Sequence, residues 1–271
     1  MQETNATKTP NLTGVFSAKK KDGTIYFRAS LTFRGKHISL GSYDSSAYAH
    51  AAYLEGARLI NNSAITLVDY NDTGILSFEK WVCLLNFRDN GIYVSNPIYM
   101  GKKMFYYYFS PSLILKFDLD DLFFYSSHKI MKRGNHYFVA EYGMQTNIVN
   151  RYGIKNYAVL GKDYRFINND STDFRRENIE IFNTYQGVSH SAKNGRSYYS
   201  VRIHLNGNFL VGNYETETEA AIAYNKAVDI LKKNGIDKNF TTNYIDGISP
   251  RKYADIYSTV EISDKIKNYF L

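Results

Sequence analysis

The sequence predicts an α+β protein, and three observations carry that prediction. A segment of about 50 residues occurs twice in the chain. Within each copy, short runs alternate apolar and polar residues between glycine-bearing turns, the period-two pattern of half-buried strands. Each copy then closes on a run whose apolar and small residues recur at helical spacing.

The first copy reads LTGVFSAKKKDGTIYFRASLTFRGKHISLGSYDSS and the second YQGVSHSAKNGRSYYSVRIHLNGNFLVGNYETE. They align with two one-residue shifts, both in turns, so that Gly14-Val15 matches Gly187-Val188 and Gly41 matches Gly212. In the second strand of copy one, Phe27, Ala29, Leu31 and Phe33 fall on an inward face, with Arg28, Ser30 and Thr32 outward. In copy two, Tyr199, Val201, Ile203 and Leu205 face in and Ser200, Arg202 and His204 face out. The turn signals RGK at 34–36 and NGN at 206–208 join the second and third strands as a hairpin. Behind each hairpin lies a helix. Ala49, Ala52, Tyr53, Gly56, Leu59 and Ile60 occupy i, i+3, i+4, i+7, i+10 and i+11, and Ala220, Ala223, Tyr224, Ala227, Ile230 and Leu231 repeat those offsets. The small residues let helix and sheet approach closely. Thr216 with Glu219 is a capping-box start, and Asn234-Gly235 a stop. Each copy is therefore three antiparallel strands covered on one face by one helix.

Composition sets the class. In 271 residues, 44% hydrophobic and 16% aromatic content can fill real cores. No run of about 18 apolar residues exists to span a bilayer, and MQETNATKTP lacks the basic start and apolar run of a secretory signal, so no membrane is expected and the cytoplasm is the expected compartment. The single cysteine, Cys83 in KWVCLLNF, cannot make an intramolecular disulfide or a cysteine-based zinc site and reads as a small buried hydrophobe.

The net charge of +7 fits a polyanionic partner, and its distribution matters more than its size. Across 13–43 the basic residues are Lys19, Lys20, Lys21, Arg28, Arg34 and Lys36 against one acid, Asp22; across 184–214 they are Lys193, Arg196 and Arg202 against none. The acids Asp44, Glu55, Glu215, Glu217, Glu219 and Asp229 sit in the helix halves, where they suit helix N-termini and solvent. A three-stranded sheet with an exposed cationic face fits the DNA major groove. The candidate contacts are Lys19, Lys20, Lys21, Arg28, Ser30, Arg34, Lys36 and His37 in copy one, and His190, Lys193, Arg196, Tyr198, Arg202 and His204 in copy two. The competing reading is a merely solubilising surface; two copies of the same polarity favour binding.

The strings YFRASL, GKHISLGSYDS and, above all, SYYSVRIHLNGNFLVGNYETETEAAIAYNKAV resemble the Apetala-two DNA-binding domain. The resemblance implies a sheet laid in the major groove with an amphipathic helix behind it. It departs where family members often carry arginines around the first-strand Gly-Val, since this chain has Thr13 and Phe16, and Gln186 and Ser189. Arg28, Arg202 and His204 carry over best, and no target sequence is implied.

The intervening region, 70–183, is rich in aromatics, as in MFYYYFSPSLI. Its end, YRFINNDSTDFRRENIEIF, together with FDLDDLFFYSSHKIMKRGNHYFVAEYG upstream, is similar to the HNH endonucleases that phages and mobile elements fuse to Apetala-two domains. Ile167, Asn168, Asp173, Arg175, Arg176, Asn178 and Ile179 match that scaffold. Where the family has Asp-His this chain has Arg165-Phe166, and where it has the middle Asn this chain has Phe174. An HNH site needs an imidazole to deprotonate water and a ligand for a divalent metal; phenylalanine supplies neither. His128 and His136 are the only material for a relocated site that this reading offers, and Asp118, Asp120 and Asp121 read as a turn or helix start rather than a metal cluster. Phosphate-cradling glycine motifs and a G-x-S-x-G elbow are absent.

The expected organisation is a polar tail (1–11), a first Apetala-two-like module (12–69), a central degenerate HNH-like domain (70–183), a second such module (184–248) and a C-terminal tail or docking helix (249–271) carrying Ile256, Val260, Ile262, Ile266 and Phe270. The expected function is double-stranded DNA binding by a protein of phage or mobile-element type, working in a bacterial or phage-infected cell without catalytic residues, metal or cofactor. Two alternatives stand beside it: a phage-derived inhibitor that binds a host nucleic-acid-targeting defence complex, its partner then being a host protein or protein–nucleic-acid complex, and an active HNH homing endonuclease with a relocated site.

Overall fold

The computed structural model describes residues 12–270; the polar tail 1–11 lies outside the described residues. Helices alternate with several small sheets, so the chain is α+β. It folds as two compact units. The first takes the chain as far as Met131 and adds Val139–Met144 and Thr172–Arg175; the second takes Lys132–Phe138, Gln145–Ser171 and everything from Arg176 onward.

The first unit opens with β1 (Val15–Lys19), β2 (Ile25–Phe33) and β3 (Lys36–Tyr43), an antiparallel sheet in that order. Arg34 and Gly35, both at positive φ, form the two-residue turn between β2 and β3, the geometry whose twist matches that of the strands. Next comes α1 (Ser46–Asn61), begun by Ser45, whose hydroxyl accepts the Tyr48 N–H. Ala49, Ala52, Gly56 and Leu59 pack against Ala29, Leu31, Ile38 and Leu40 of the sheet. The same core takes in Leu76 and Trp81, Leu84, Leu85 and Phe87 of α2 (Phe78–Asn90), residues beyond position 69 where the sequence suggested a boundary. Polar ties explain why α2 joins this core. Glu55 accepts the N–H groups of Ile75 and Leu76, and the nearly buried Arg88 guanidinium donates to the carbonyls of Leu59, Asn62 and Ile65, capping the end of α1.

The rest of the first unit is β4 (Ile98–Met100), β5 (Met104–Ser110) and β6 (Leu113–Asp118), antiparallel neighbours in that order, followed by α3 (Leu122–Ser127). Phe105, Phe117 and Tyr125 stack in its core. Cys83 is buried, its Sγ against the carbonyls of Ser95 and Asn96, and burial pushes its thiol pKa up to about 11. It is an inert core thiol, as expected from sequence. The segment Thr172–Arg175 runs beside β6: the Lys116 N–H donates to the Thr172 carbonyl and the Phe174 N–H to the Lys116 carbonyl.

Along the following stretch, β7 (Met131–Arg133), β8 (His136–Glu141) and β9 (Met144–Asn147) form one small sheet, and β10 (Tyr164–Phe166) pairs with β11 (Ile179–Ile181). The second unit then builds the repeat again: β12 (Val188–Lys193), β13 (Arg196–His204), β14 (Asn208–Tyr214) and α4 (Glu217–Lys233). The capping box of Thr216 and Glu219 is present. The C-terminal segment docks on this module as two helices rather than one, α5 (Pro250–Thr259) and α6 (Asp264–Lys267), with Ile262 and Ile266 buried against α4 and β14 and Phe270 exposed. That cover explains why α4 is buried on more than its sheet-facing side.

A buried ion pair fastens the segment ahead of β10 to the second repeat. Lys155 Nζ lies 3.1 Å from Asp163 Oδ1, with side chains 10% and 8% exposed, and donates to the carbonyls of Tyr185 and Val188 at 2.9 Å. Burial pulls the Lys155 ammonium below its ordinary pKa despite the carboxylate beside it. Asp163 is also held low: burial opposes its charge, but the Val159 N–H, Lys155 and Asn183 together outweigh it. Removing one partner of such a pair strands the other. Asp163→Ala should therefore cost about 3–5 kcal/mol by leaving a buried ammonium unpaired, and Lys155→Met clearly less, because Asp163 keeps its amide donors. Urea unfolding of both variants checks this. The Asp163 contribution is present above the ordinary carboxylate pKa and is lost as pH falls through its depressed value.

Candidate nucleic-acid interface

The two repeats superpose element for element at the level of hydrogen bonding. In the first, Val15 pairs with Ala29 and the register slips between Ala29 and Ser30; in the second, Val188 pairs with Val201 and the slip falls between Val201 and Arg202. The Ser30 N–H donates to the Gly14 carbonyl at 2.9 Å, and the Arg202 N–H to the Gly187 carbonyl at 2.8 Å. Arg28 therefore corresponds to Ser200, and Arg202 to Ser30. The outward arginines of the two second strands sit one outward position apart on a common scaffold.

Directly paired residues of antiparallel strands project from the same face, so the register assigns every candidate. On the second sheet, Ser189, Ser191, Lys193, Arg196, Tyr198, Ser200, Arg202 and His204 share the face opposite α4, and Lys193 is paired with Arg196 at the hairpin end. Arg202 and His204 are exposed, and His204 Nδ1 lies 3.1 Å from Asn208 Oδ1. His190 belongs to the helix side: it pairs with Tyr199, their rings meet edge to face at 5.3 Å, and its N–H donates to Asn183. The strands and turns of 188–214 contain no carboxylate.

The first sheet is differently furnished. Its open face holds Phe16, Ala18, Tyr26, Arg28, Ser30, Thr32, His37, Ser39 and Ser42. Ser30 is only 6% exposed and its hydroxyl is buried, so it is no groove contact. Lys19 and Lys36 pair with Ile25 and Phe33 and lie on the helix side, where the Lys36 ammonium sits over the Tyr93 ring. The Arg34 guanidinium donates to the Phe87 carbonyl at 3.3 Å, meeting the negative end of α2. Lys20 and Lys21 are in the first turn. Thus the basic stretch of the first copy spreads over both faces and the hairpin ends, and only Arg28 and His37 reach the open face as potential cations. Alternation along β2 alone could not show this, because the bulge and the second layer decide it.

Most positions matched to a nuclease site make packing contacts, ion pairs or turn hydrogen bonds within their own unit. Phe174, 2% exposed, stacks on Phe117 with ring centroids 5.5 Å apart in the first unit. Arg175 forms a two-point ion pair with the buried Asp173. In the second unit Phe166 is buried, Arg165 pairs with Glu180 at 2.6 Å and covers Phe182, and Arg176 lies over Tyr152. Asn178 Oδ1 accepts the Asn168 N–H, and Asn168 Oδ1 accepts the Asp170 N–H, shaping a turn. His128 stacks on Phe124 and its Nδ1 lies 2.9 Å from the Phe124 carbonyl. Among the described residues no three histidine, cysteine or carboxylate groups converge as a metal site, and no helix is long and apolar enough to cross a membrane.

Sequence reasoning missed the support behind the second sheet. Asn243 accepts the Gln186 N–H and donates to its carbonyl, while Asn225, buried in α4, donates to the Asn243 carbonyl. This clamp fixes the chain just before Gly187. Nothing in the local pattern of either asparagine signals it.

No protein-family model matches the chain, and no curated protein and no solved structure is significantly similar to it.

Proposed function

We propose that the protein binds double-stranded DNA and that the open face of β12, β13 and β14 is its principal reading surface. One observation carries this reading: Lys193, Arg196, Arg202 and His204 project from one face of a sheet whose 188–214 span has no acid. A ribbon of strands enters the major groove, where arginine can pair bidentately with guanine and lysine can meet phosphate as a point charge. The paired Lys193 and Arg196 at the hairpin end suit the backbone, while Arg202 and His204 along the strand suit base edges. The helix layer holds the sheet rigid behind them. The Apetala-two resemblance supports the same mode of docking, and the HNH-like centre serves in this reading as scaffold, since its phenylalanines offer neither a base nor a ligand. The function is thus that of a non-cleaving DNA-binding protein of phage or mobile-element type, acting in the cytoplasm.

Retardation of a mixed duplex library tests it. Log affinity should fall with log salt at about −0.9 per neutralised phosphate, and Lys193→Ala or Arg196→Ala should shrink that slope by about one unit each. Arg202→Ala should weaken binding by about 1–3 kcal/mol and relax preference at one base pair. Arg28→Ala should leave duplex affinity nearly unchanged, because the first sheet presents no comparable cluster. The same reactions with Mg²⁺ or Mn²⁺ should leave the duplex uncut. A wild-type protein that retards no duplex even at low salt would remove this reading in favour of a protein partner.

A further inference from the structure

We propose that the open face of β1, β2 and β3 is a stacking platform for unpaired nucleotides, a site separate from the duplex-binding face of the second sheet. The common scaffold makes the substitutions between the two faces informative. Tyr26 corresponds to Tyr198, so one ring is shared. Beyond that ring the first face exchanges the second's chemistry: Phe16 stands where the second has Ser189, Arg28 where it has Ser200, and the buried Ser30 where it has Arg202.

Phe16 is 57% exposed on the edge strand β1, directly opposite Arg28 across the strand pair. The Arg28 guanidinium lies 5.4 Å from the centre of the Tyr26 ring, and its Nη2 donates to the Tyr26 hydroxyl at 2.7 Å. Two rings on neighbouring strands thus flank a guanidinium held in place by one of them. Nucleobases stack on aromatic rings and on guanidinium planes, and stacking of this kind is how sheet surfaces take single strands. Apart from Arg28 and His37, the rest of the face is short side chains, Ala18, Ser30, Thr32, Ser39 and Ser42, which leave room for a flat base to lie on the rings. The phosphates have partners too. Lys20 and Lys21 occupy the adjoining turn, and the single acid there, Asp22, is engaged by the Thr24 N–H within that turn. An aromatic face with a cationic rim and no carboxylate on it selects a polyanion with flat faces over a purely apolar protein surface.

The test titrates full-length protein with fluorescently labelled oligothymidylate and, separately, with duplex of equal length. Phe16→Ala and Tyr26→Ala should each weaken oligothymidylate binding roughly 5- to 150-fold, the loss expected for one base-on-ring stack, and change duplex affinity less than about twofold. Arg202→Ala should do the reverse. Phe16→Trp should keep single-strand affinity, and its exposed indole should be quenched on binding while the buried Trp81 is not. Wild-type protein that binds duplex but not oligothymidylate overturns this proposal while leaving the duplex reading intact. So does undiminished single-strand binding by a Phe16→Ala, Tyr26→Ala double variant that melts like wild type.

Discussion

Phe174→Asn is expected to destabilise the first unit by about 3–5 kcal/mol, the range for truncating a fully packed aromatic, with the stranded amide adding about 1–3 kcal/mol more. The ring stacks on Phe117, which in turn contacts Phe105 and Tyr125, so its removal opens a void at the centre of an aromatic layer. Asparagine there would also need hydrogen-bond partners inside that layer. Phe174→Leu should cost less than half as much. Guanidinium unfolding followed by near-ultraviolet circular dichroism reads both, and a Phe174→Asn protein as stable as wild type would mean that the ring is not part of the core. The consequence reaches the nuclease resemblance. Rebuilding its pattern with Arg165→Asp, Phe166→His and Phe174→Asn would break the Arg165–Glu180 ion pair, place a polar ring at buried Phe166 and void the Phe117 layer. Loss of fold, rather than recovered cleavage, is the expected outcome.

Gly187→Ala is expected to destabilise the second unit by about 2–5 kcal/mol, combining the left-handed backbone penalty with overpacking. Gly187 has φ +72°, and a Cβ built there would collide with the Tyr224 ring of α4 and with the Arg202 carbonyl. The carbonyl is backbone and cannot rotate away. Its twin Gly14, at φ +76°, would collide with Tyr53 of α1. Gly195→Ala is the control, since it has φ +76° with open space around it and so carries the backbone penalty alone. The gap between the two variants in thermal unfolding measures the combined clash with the Tyr224 ring and the Arg202 carbonyl. If Gly187→Ala melts together with Gly195→Ala, neither the Tyr224 ring nor the Arg202 carbonyl closes off the space beside Gly187. Because Arg202 donates its N–H to Gly187, the same substitution should also weaken duplex binding through a displaced Arg202.

Those two glycines show how much of the fold was legible. The repeat, its three strands, its second turn and the helix behind it follow from alternation, from the turn signals at 34–36 and 206–208, and from alanine and glycine at helical spacing. These are local signals, and both repeats obey them. The membership of α2 in the first core, the splitting of the C-terminal segment into α5 and α6, and the Lys155–Asp163 pair were not legible, because each depends on residues far apart in sequence meeting in space.

The candidate site divides along the same line. Sequence determined which residues are basic, that the strand halves hold a single acid, Asp22, and that Arg28, Arg202 and His204 alternate outward from apolar neighbours. Tertiary structure decided which of those charges are available. Arg34 is turned onto the end of α2, Lys36 lies over Tyr93 on the helix side, His190 packs on Tyr199, and Ser30 is buried beside a bulge. A strand's period of two fixes only relative facing, whereas burial depends on register across the sheet and on what packs against each face. The sequence states a charge, and its surroundings after folding determine whether that charge meets a helix end, an aromatic ring or open solvent where a phosphate could reach it.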